Sequence, residues 1–195
     1  RPFFLEVLRM QSEGMPWSDV RDIFMTAESY LFRRTICDLP SNVVNKIFLT
    51  LHKDVVRYDG TEENYVAKFR YALLSKTDRV RFPDDTEFVQ AFSTRQIYQM
   101  NGKNRIYILE RFENFGTIED KDIYRHCDDG EYSIEHIMPQ HLTPNWISAL
   151  GEDYEEIHET WLHRMANLTL TGYNSKYSNS TFDEKKTMQN GFIQS

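Results

Sequence analysis

The sequence is poor in long apolar runs, in cysteine and in positive charge, and each shortage narrows what the chain can be. No apolar run approaches the roughly 20 residues of a membrane-spanning helix, so we expect a soluble protein with no membrane partner. The sequence begins with Arg1 rather than Met, so we expect a fragment of a larger protein. The first residues lack the apolar core of a signal peptide, so we expect a cytoplasmic location. The two cysteines, Cys37 and Cys127, form no CxxC pair. This argues against a zinc site and favours unpaired thiols in a reducing compartment.

Positive charge is scarce along the whole chain and scarcer at its C-terminal end. Lys and Arg number 23 against 30 Asp and Glu, which gives a net charge of −7. Residues 131–195 contain four Lys or Arg against nine Asp or Glu. This counts against nucleic-acid binding as a first interpretation, unless a metal ion supplies local positive charge. In the more basic stretch around Arg33, Arg34 and residues 68–81, Arg70 and Lys76 are candidates to grip phosphate, although a solvated helix face is favoured.

The apolar pattern changes along the chain from helical to mixed. Up to Phe115 helical stripes dominate, such as Val20, Ile23 and Ala27, and Asp84 with Glu87 forms a capping-box pattern. A turn signal at Asp128-Asp129-Gly130 marks the change. Beyond it we expect strands at 132–138 and 168–171, an irregular segment at 140–146 and a helix at 153–165 between them, and a final helix at 182–188. The sequence therefore predicts an α+β fold, with a helical region over residues 1–127 and a second unit over residues 128–195.

The most informative stretch is Ile134-Glu135-His136-Ile137-Met138-Pro139-Gln140, with Asn167-Leu168-Thr169-Leu170 and Asn174 further on. A neutral histidine can take a proton from water, and carboxylate and amide oxygens suit a hard divalent ion. These residue types favour His136 as a general base and one Mg²⁺ or Mn²⁺ ion on Glu135 and Asn174. Asn167 should hydrogen-bond across the hairpin and hold the histidine loop.

One geometric condition applies to this set. Neighbouring residues on a regular strand face opposite sides, so Glu135 and His136 can share a site only if the strand twists, bulges or ends there. Pro139 makes an early end plausible. His141, close to the strand, is a candidate to touch the site, although a solvated or structural role is favoured for it. His158 and His163, five apart on the predicted helix, do not share a face and are also interpreted as solvated or structural.

The elements EHIMPQ, NLTLTGYN and SNSTFDEKK resemble the HNH nuclease domain at the C-terminus of GmrSD-type, modification-dependent restriction proteins. The stretch from Glu28 to Cys37, and Arg81-Phe82-Pro83 with Phe88, are similar to the helical region that precedes this domain, so the resemblance covers most of the chain. One departure is Ala166, where glycine is usual, which would alter the turn before the second strand.

The resemblance implies a ββα-metal (HNH) unit in residues 128–195 and a divalent-metal-dependent endonuclease that hydrolyses DNA. In that interpretation His136 is the base, Asn167 supports it, and Glu135 and Asn174 are metal ligands. Asn179 is a rival to Asn174 as ligand. The residues expected near the scissile phosphate or the DNA backbone are Lys176, Asn179 and Lys185.

The same resemblance implies a bacterial, cytoplasmic anti-phage restriction protein that targets modified DNA. It also implies an additional N-terminal nucleotide-binding domain or subunit, since this chain has no Gly-rich phosphate loop. Two alternatives stay open: a catalytically silent DNA-binding or protein-interaction module, and an RNA-cleaving, toxin-like nuclease. The complete set of Glu135, His136, Asn167 and Asn174 favours a nuclease, but nothing in the sequence separates DNA from RNA.

Overall fold

The computed structural model describes residues 2–172 and 177–188, and it divides the chain into two compact units, Arg1–Phe92 and Ser93–Ser195. The described residues are mostly helical with one small two-stranded sheet, which confirms the α+β class. The division that the sequence predicts, between residues 127 and 128, falls inside the second unit. The predicted boundary refers to the start of the ββα unit rather than to the start of a compact unit, and it stays a prediction.

No helix in the part of the chain that the structure describes is both long and apolar enough to cross a membrane. Cys37 and Cys127 are free, half-buried thiols.

The first unit is built from helices. They are α1 (Pro2–Ser12), α2 (Trp17–Ile36), α3 (Val44–Val56), α4 (Tyr65–Leu74) and α5 (Asp85–Thr94), the last of which runs to the end of the unit and two residues beyond. The predicted stripe of α2 is the face that it buries. Aromatic rings fill the centre, where Phe3 stacks on Phe69 with ring centroids 5.3 Å apart and meets Phe48 edge-on at 5.7 Å. Stacked and edge-on pairs of this kind stabilise a core beyond the burial of apolar area alone.

Three basic residues of this unit, Arg34, Arg70 and Lys76, are bound to other groups of the same unit. Arg70 pairs with Asp22 at 2.8 Å and Lys76 with Asp54 at 3.6 Å. Arg34 is buried and donates to the carbonyl oxygens of Arg81 and Pro40. The two residues considered for phosphate binding therefore both have carboxylate partners.

The capping box predicted at Asp84 and Glu87 forms only by half. The Asp84 side chain accepts a hydrogen bond from the Glu87 N–H at 2.8 Å. The Glu87 carboxylate binds the Arg81 guanidinium at 2.5 Å rather than returning to the helix start. A charged partner is stronger than a backbone N–H, so the reciprocal half of the box is lost.

The second unit contains the sheet. After α6 (Gly102–Glu113) and α7 (Ile123–Asp128) come β1 (Ser133–His136), α8 (Pro144–Leu150), α9 (Tyr154–Trp161), β2 (Leu168–Thr171) and α10 (Phe182–Thr187). The strands are antiparallel, with Ser133 opposite Thr171 and His136 opposite Leu168. Both strands lie within the predicted ranges. The predicted helix at 153–165 ends earlier, at Trp161, so His163 lies beyond it.

Helix α10 begins at a complete capping box. The Thr181 hydroxyl accepts the Glu184 N–H, and the Glu184 carboxylate accepts the Thr181 N–H at 2.7 Å. This arrangement satisfies two backbone donors at the helix start. Lys185 follows Glu184 directly in this short helix, so the capped helix start fixes the backbone from which the Lys185 side chain projects.

Candidate active site

Asn167 joins the ends of the two strands. Its Oδ1 accepts the N–H of Met138 at 2.7 Å, and its Nδ2 donates to the carbonyls of Met138 at 3.0 Å and Leu162 at 2.9 Å. The backbone of Asn167 also accepts the Ile137 N–H at 2.9 Å. The predicted hydrogen bonding across the hairpin is confirmed, and it holds the segment that follows His136.

Ala166 is compatible with this turn. It lies in a 3₁₀ turn over Met165–Asn167 and is not among the residues with positive φ. A position with right-handed backbone does not require glycine, so the departure from the Gly-Asn-Leu pattern has no conformational cost here.

Glu135 and His136 line the same pocket, of about 310 Å³. Its lining also includes Tyr98, Gln140, His141 and Asn179. The strand ends at His136, before Pro139, which satisfies the condition under which two neighbouring residues can share a site. The two side chains also have different partners outside the strand. Glu135 binds Lys185 of α10, whereas the His136 ring contacts the rings of Tyr98 and His163.

The Glu135 carboxylate binds a buried lysine. Lys185 is 0% exposed, and its Nζ donates to Glu135 Oε1 at 2.5 Å, to the His136 carbonyl at 3.0 Å and to the Ile137 carbonyl at 3.1 Å. These three bonds match the three donors of an ammonium group. Burial raises the pKa of Glu135, and Lys185 offsets part of that rise. The Lys185 ammonium group points into the unit and is not exposed to solvent. The DNA contact predicted for Lys185 is not observed here and stays a prediction.

The His136 imidazole is enclosed on several sides. Its Nε2 lies 3.3 Å from Nδ1 of His163, its Nδ1 lies 3.5 Å from Nε2 of Gln140, and its ring meets Tyr98 edge-on at 4.3 Å. Burial, with smaller electrostatic contributions from nearby basic side chains, lowers the pKa of His136 to about 4. His136 is therefore neutral at neutral pH, the form that can accept a proton.

Sequence reasoning missed Tyr98 and His163 as parts of this site. Their rings stack at 5.4 Å with an interplanar angle of 12°, and the Tyr98 N–H donates to the His163 carbonyl at 3.0 Å. His158 also contributes, because its Nε2 donates to the Pro139 carbonyl at 3.0 Å. Local sequence offers no signal for Tyr98, which lies far upstream in a 3₁₀ turn over Ile97–Gln99.

The structure thus brings together Glu135, His136 and Asn179 at one pocket, with Asn167 behind the turn. Asn174 and Lys176 lie outside the described residues, so their predicted roles stay predictions. Within residues 2–172 and 177–188 no three His, Cys, Asp or Glu side chains converge as a metal site. The predicted ligand set does not need such a cluster, because it combines one carboxylate with an asparagine oxygen. Those are donors that fit Mg²⁺ or Mn²⁺, although Lys185 competes for the carboxylate.

A comparison with known families supports one assignment. Residues 82–194 match the family model of the C-terminal domain of GmrSD restriction endonucleases. No curated protein and no solved structure matches the chain. The match covers more than half of the chain and includes β1, β2 and α10. The chain therefore belongs to the family of GmrSD restriction endonucleases, whose C-terminal domain it contains.

Proposed function

We propose that this chain carries an HNH-type, divalent-metal-dependent endonuclease site that hydrolyses DNA phosphodiester bonds, with hairpin β1–β2 and helix α10 as its ββα-metal unit. The observation that carries the proposal is the position of His136. A neutral, nearly fully buried histidine ends a strand at a pocket that a carboxylate and an asparagine also line. Perturbed titratable groups at a pocket are typical of catalytic sites.

In this mechanism His136 accepts a proton from a water molecule in the pocket, and the resulting hydroxide attacks phosphorus. The P–O bond to the leaving oxygen breaks, and that oxygen takes a proton from solvent. Glu135, together with Asn174 or Asn179, would hold a divalent ion, which would supply charge neutralisation at the phosphate. Lys185 orients the Glu135 carboxylate, and Asn167 holds the turn that positions His136.

The test is nicking of supercoiled plasmid DNA by the purified chain with Mg²⁺ or Mn²⁺, against an EDTA control. His136→Ala should abolish metal-dependent nicking, because the proton acceptor is removed. The matched control is His126→Ala, since His126 belongs to the same unit but does not line the pocket. Nicking that persists in His136→Ala, or that survives EDTA, contradicts the proposal.

A parallel digestion of structured RNA tests the choice of substrate. We propose DNA because the family is one of restriction endonucleases. Preferential cleavage of RNA under the same conditions would favour the toxin-like alternative. Absence of cleavage of both substrates, in a folded chain that holds the metal, would favour a silent binding module.

We further propose a place in a bacterial anti-phage system that cuts modified DNA in the cytoplasm. Nucleotide binding would belong to another domain or subunit, which also supplies most of the DNA-binding surface. The experiment compares modified with unmodified phage DNA, with and without nucleotide, using the complete restriction protein. Equal cleavage of both DNAs would contradict the targeting of modification.

A further inference from the structure

We propose that His163 is a positioning residue that accepts a hydrogen bond from Nε2–H of His136 and so keeps the Nδ1 lone pair of His136 toward the pocket. The inference rests on the proposed function, because it takes His136 to be the base. It begins with the 3.3 Å separation of His136 Nε2 and His163 Nδ1. A neutral imidazole carries one N–H and one lone pair, so the partner of one nitrogen determines the role of the other.

The pocket side of the ring is identified by its neighbours. Gln140, which lines the pocket, is next to Nδ1 of His136, whereas His163, next to Nε2, is not among the described lining residues. Water that enters the pocket therefore meets Nδ1. A base needs its lone pair on that side, which places the proton on Nε2. The Gln140 amide, 3.5 Å from Nδ1, is a weak partner that water can displace.

His163 can act as the acceptor because it is itself fixed and neutral. Its ring stacks on Tyr98, and its carbonyl accepts the Tyr98 N–H. Arg105 in turn holds Tyr98, with its guanidinium 4.7 Å from the ring centroid and a 2.6 Å hydrogen bond to the Tyr98 carbonyl. Burial, with a smaller effect of His158, lowers the pKa of His163, which keeps the Nδ1 lone pair available.

Lys185 is also close enough to disfavour the protonated form of His136, but it contacts the His136 backbone carbonyl rather than the ring. The described side chain that offers Nε2 an acceptor is His163. Nitrogen-15 labelling of the full chain tests this directly, through the scalar coupling that an N–H···N hydrogen bond transmits. We expect a coupling between a proton-bearing His136 Nε2 and a proton-free His163 Nδ1. A proton on His136 Nδ1 or on His163 Nδ1 overturns the inference.

Two substitutions test the catalytic consequence. His163→Phe keeps a ring to stack on Tyr98 but removes the acceptor, and we expect kcat to fall about tenfold with little change in KM. His163→Asn offers an amide oxygen near the position of Nδ1 and should recover part of the loss. His126→Asn is the control outside the pocket. A kcat for His163→Phe equal to that of the wild type overturns the positioning role.

The two hypotheses fail in different ways. Cleavage without the nitrogen–nitrogen coupling overturns the role of His163 and leaves the nuclease assignment intact. The coupling without any cleavage, by a folded chain with metal, overturns the proposed function and with it the positioning role.

Discussion

Lys185 Nζ and Glu135 Oε1 are 2.5 Å apart in the interior of the second unit, and this ion pair joins α10 to β1. The predicted DNA-contacting lysine and the predicted metal ligand are thus partners of one another. Lys185 Nζ also donates to the backbone carbonyls of His136 and Ile137, which extends the contact along the segment that carries the base. Helix α10 therefore helps to fix the Glu135 carboxylate and the backbone of His136.

We expect Lys185→Met to destabilise the protein by about 3 kcal/mol, because it leaves the Glu135 carboxylate buried without its partner. Urea unfolding followed by circular dichroism measures the loss. The double variant Lys185→Met/Glu135→Gln should recover more than half of it, and Lys186→Met is the neighbouring control. A loss below about 1 kcal/mol would mean that solvent, rather than Lys185, compensates the charge.

Stability should fall on acidification, and His136 should account for part of the fall. Its pKa is about 4 in the folded chain against an ordinary value of 6.5, so the unfolded state binds the proton more tightly between these values. The stabilisation is present above pH 6.5 and is lost as the pH falls toward 4, with about 2 kcal/mol lost by pH 5. Denaturant unfolding at pH 5, 6 and 7 tests this. His136→Asn should show the shallower dependence, and equal slopes for the two proteins would refute the assignment.

Asn167→Asp should destabilise the hairpin by about 2 kcal/mol, although the two side chains have nearly the same shape. The aspartate retains an acceptor for the Met138 N–H but turns an oxygen toward the carbonyls of Met138 and Leu162. Asn145→Asp, on the exposed first turn of α8, is the control and should be nearly neutral. Hydrogen exchange at the Met138 amide should quicken in Asn167→Ala, where the acceptor is removed. Unchanged exchange there would contradict the role.

Substitution of each candidate asparagine should identify the metal ligand. Asn179 lines the pocket with Glu135, and Asn174 is the ligand that the sequence predicts. We expect only one of Asn174→Ala and Asn179→Ala to raise the Mn²⁺ concentration needed for half-maximal nicking, by about tenfold. A lowered maximal rate at unchanged metal requirement would instead assign that asparagine to the DNA. Equal metal requirements in both variants would refute the proposed ligand pair.

The chain by itself should bind DNA weakly. Its net charge is −7, and Arg70 and Lys76 already have carboxylate partners. We expect a dissociation constant above about 1 μM at physiological salt, with a shallow salt dependence, since few phosphates are neutralised. Fluorescence anisotropy with labelled duplex DNA, over a series of salt concentrations, measures both. Nanomolar binding with a steep salt dependence would show that a basic surface exists after all.

The sequence was sufficient to predict β1, β2 and α10, but not α8 (Pro144–Leu150), whose start lies in a segment that was expected to be irregular. Strand β2 at Leu168–Thr171 follows from its alternating residues, and Asn167 was expected to bridge the hairpin because an asparagine at a strand start can bond to the facing backbone. The orientation of Lys185 was not predictable, because a lysine in a short helix is normally exposed to solvent. Only packing of α10 on β1 turns it inward.

His163 was missed for a different physical reason. We expected the helix to continue to Met165, and on a continuous helix His158 and His163 would point in different directions. Helix α9 ends at Trp161, so His158 lies on the helix and His163 lies in the turn after it. Both side chains therefore contact the segment around His136, His163 at the His136 ring and His158 at the Pro139 carbonyl. The second partner, Tyr98, approaches through the tertiary fold, which local patterns do not encode.

The hairpin joins residues that are far apart along the chain, since Ser133 pairs with a residue 38 positions later. During synthesis the complete Glu-His motif leaves the ribosome well before β2 and α10, which hold it. Closing so long a loop costs entropy that only the later residues can offset. The proposed chemistry therefore cannot form until Lys185 has been synthesised, and a chain that stops before Lys185 contains the motif without the site.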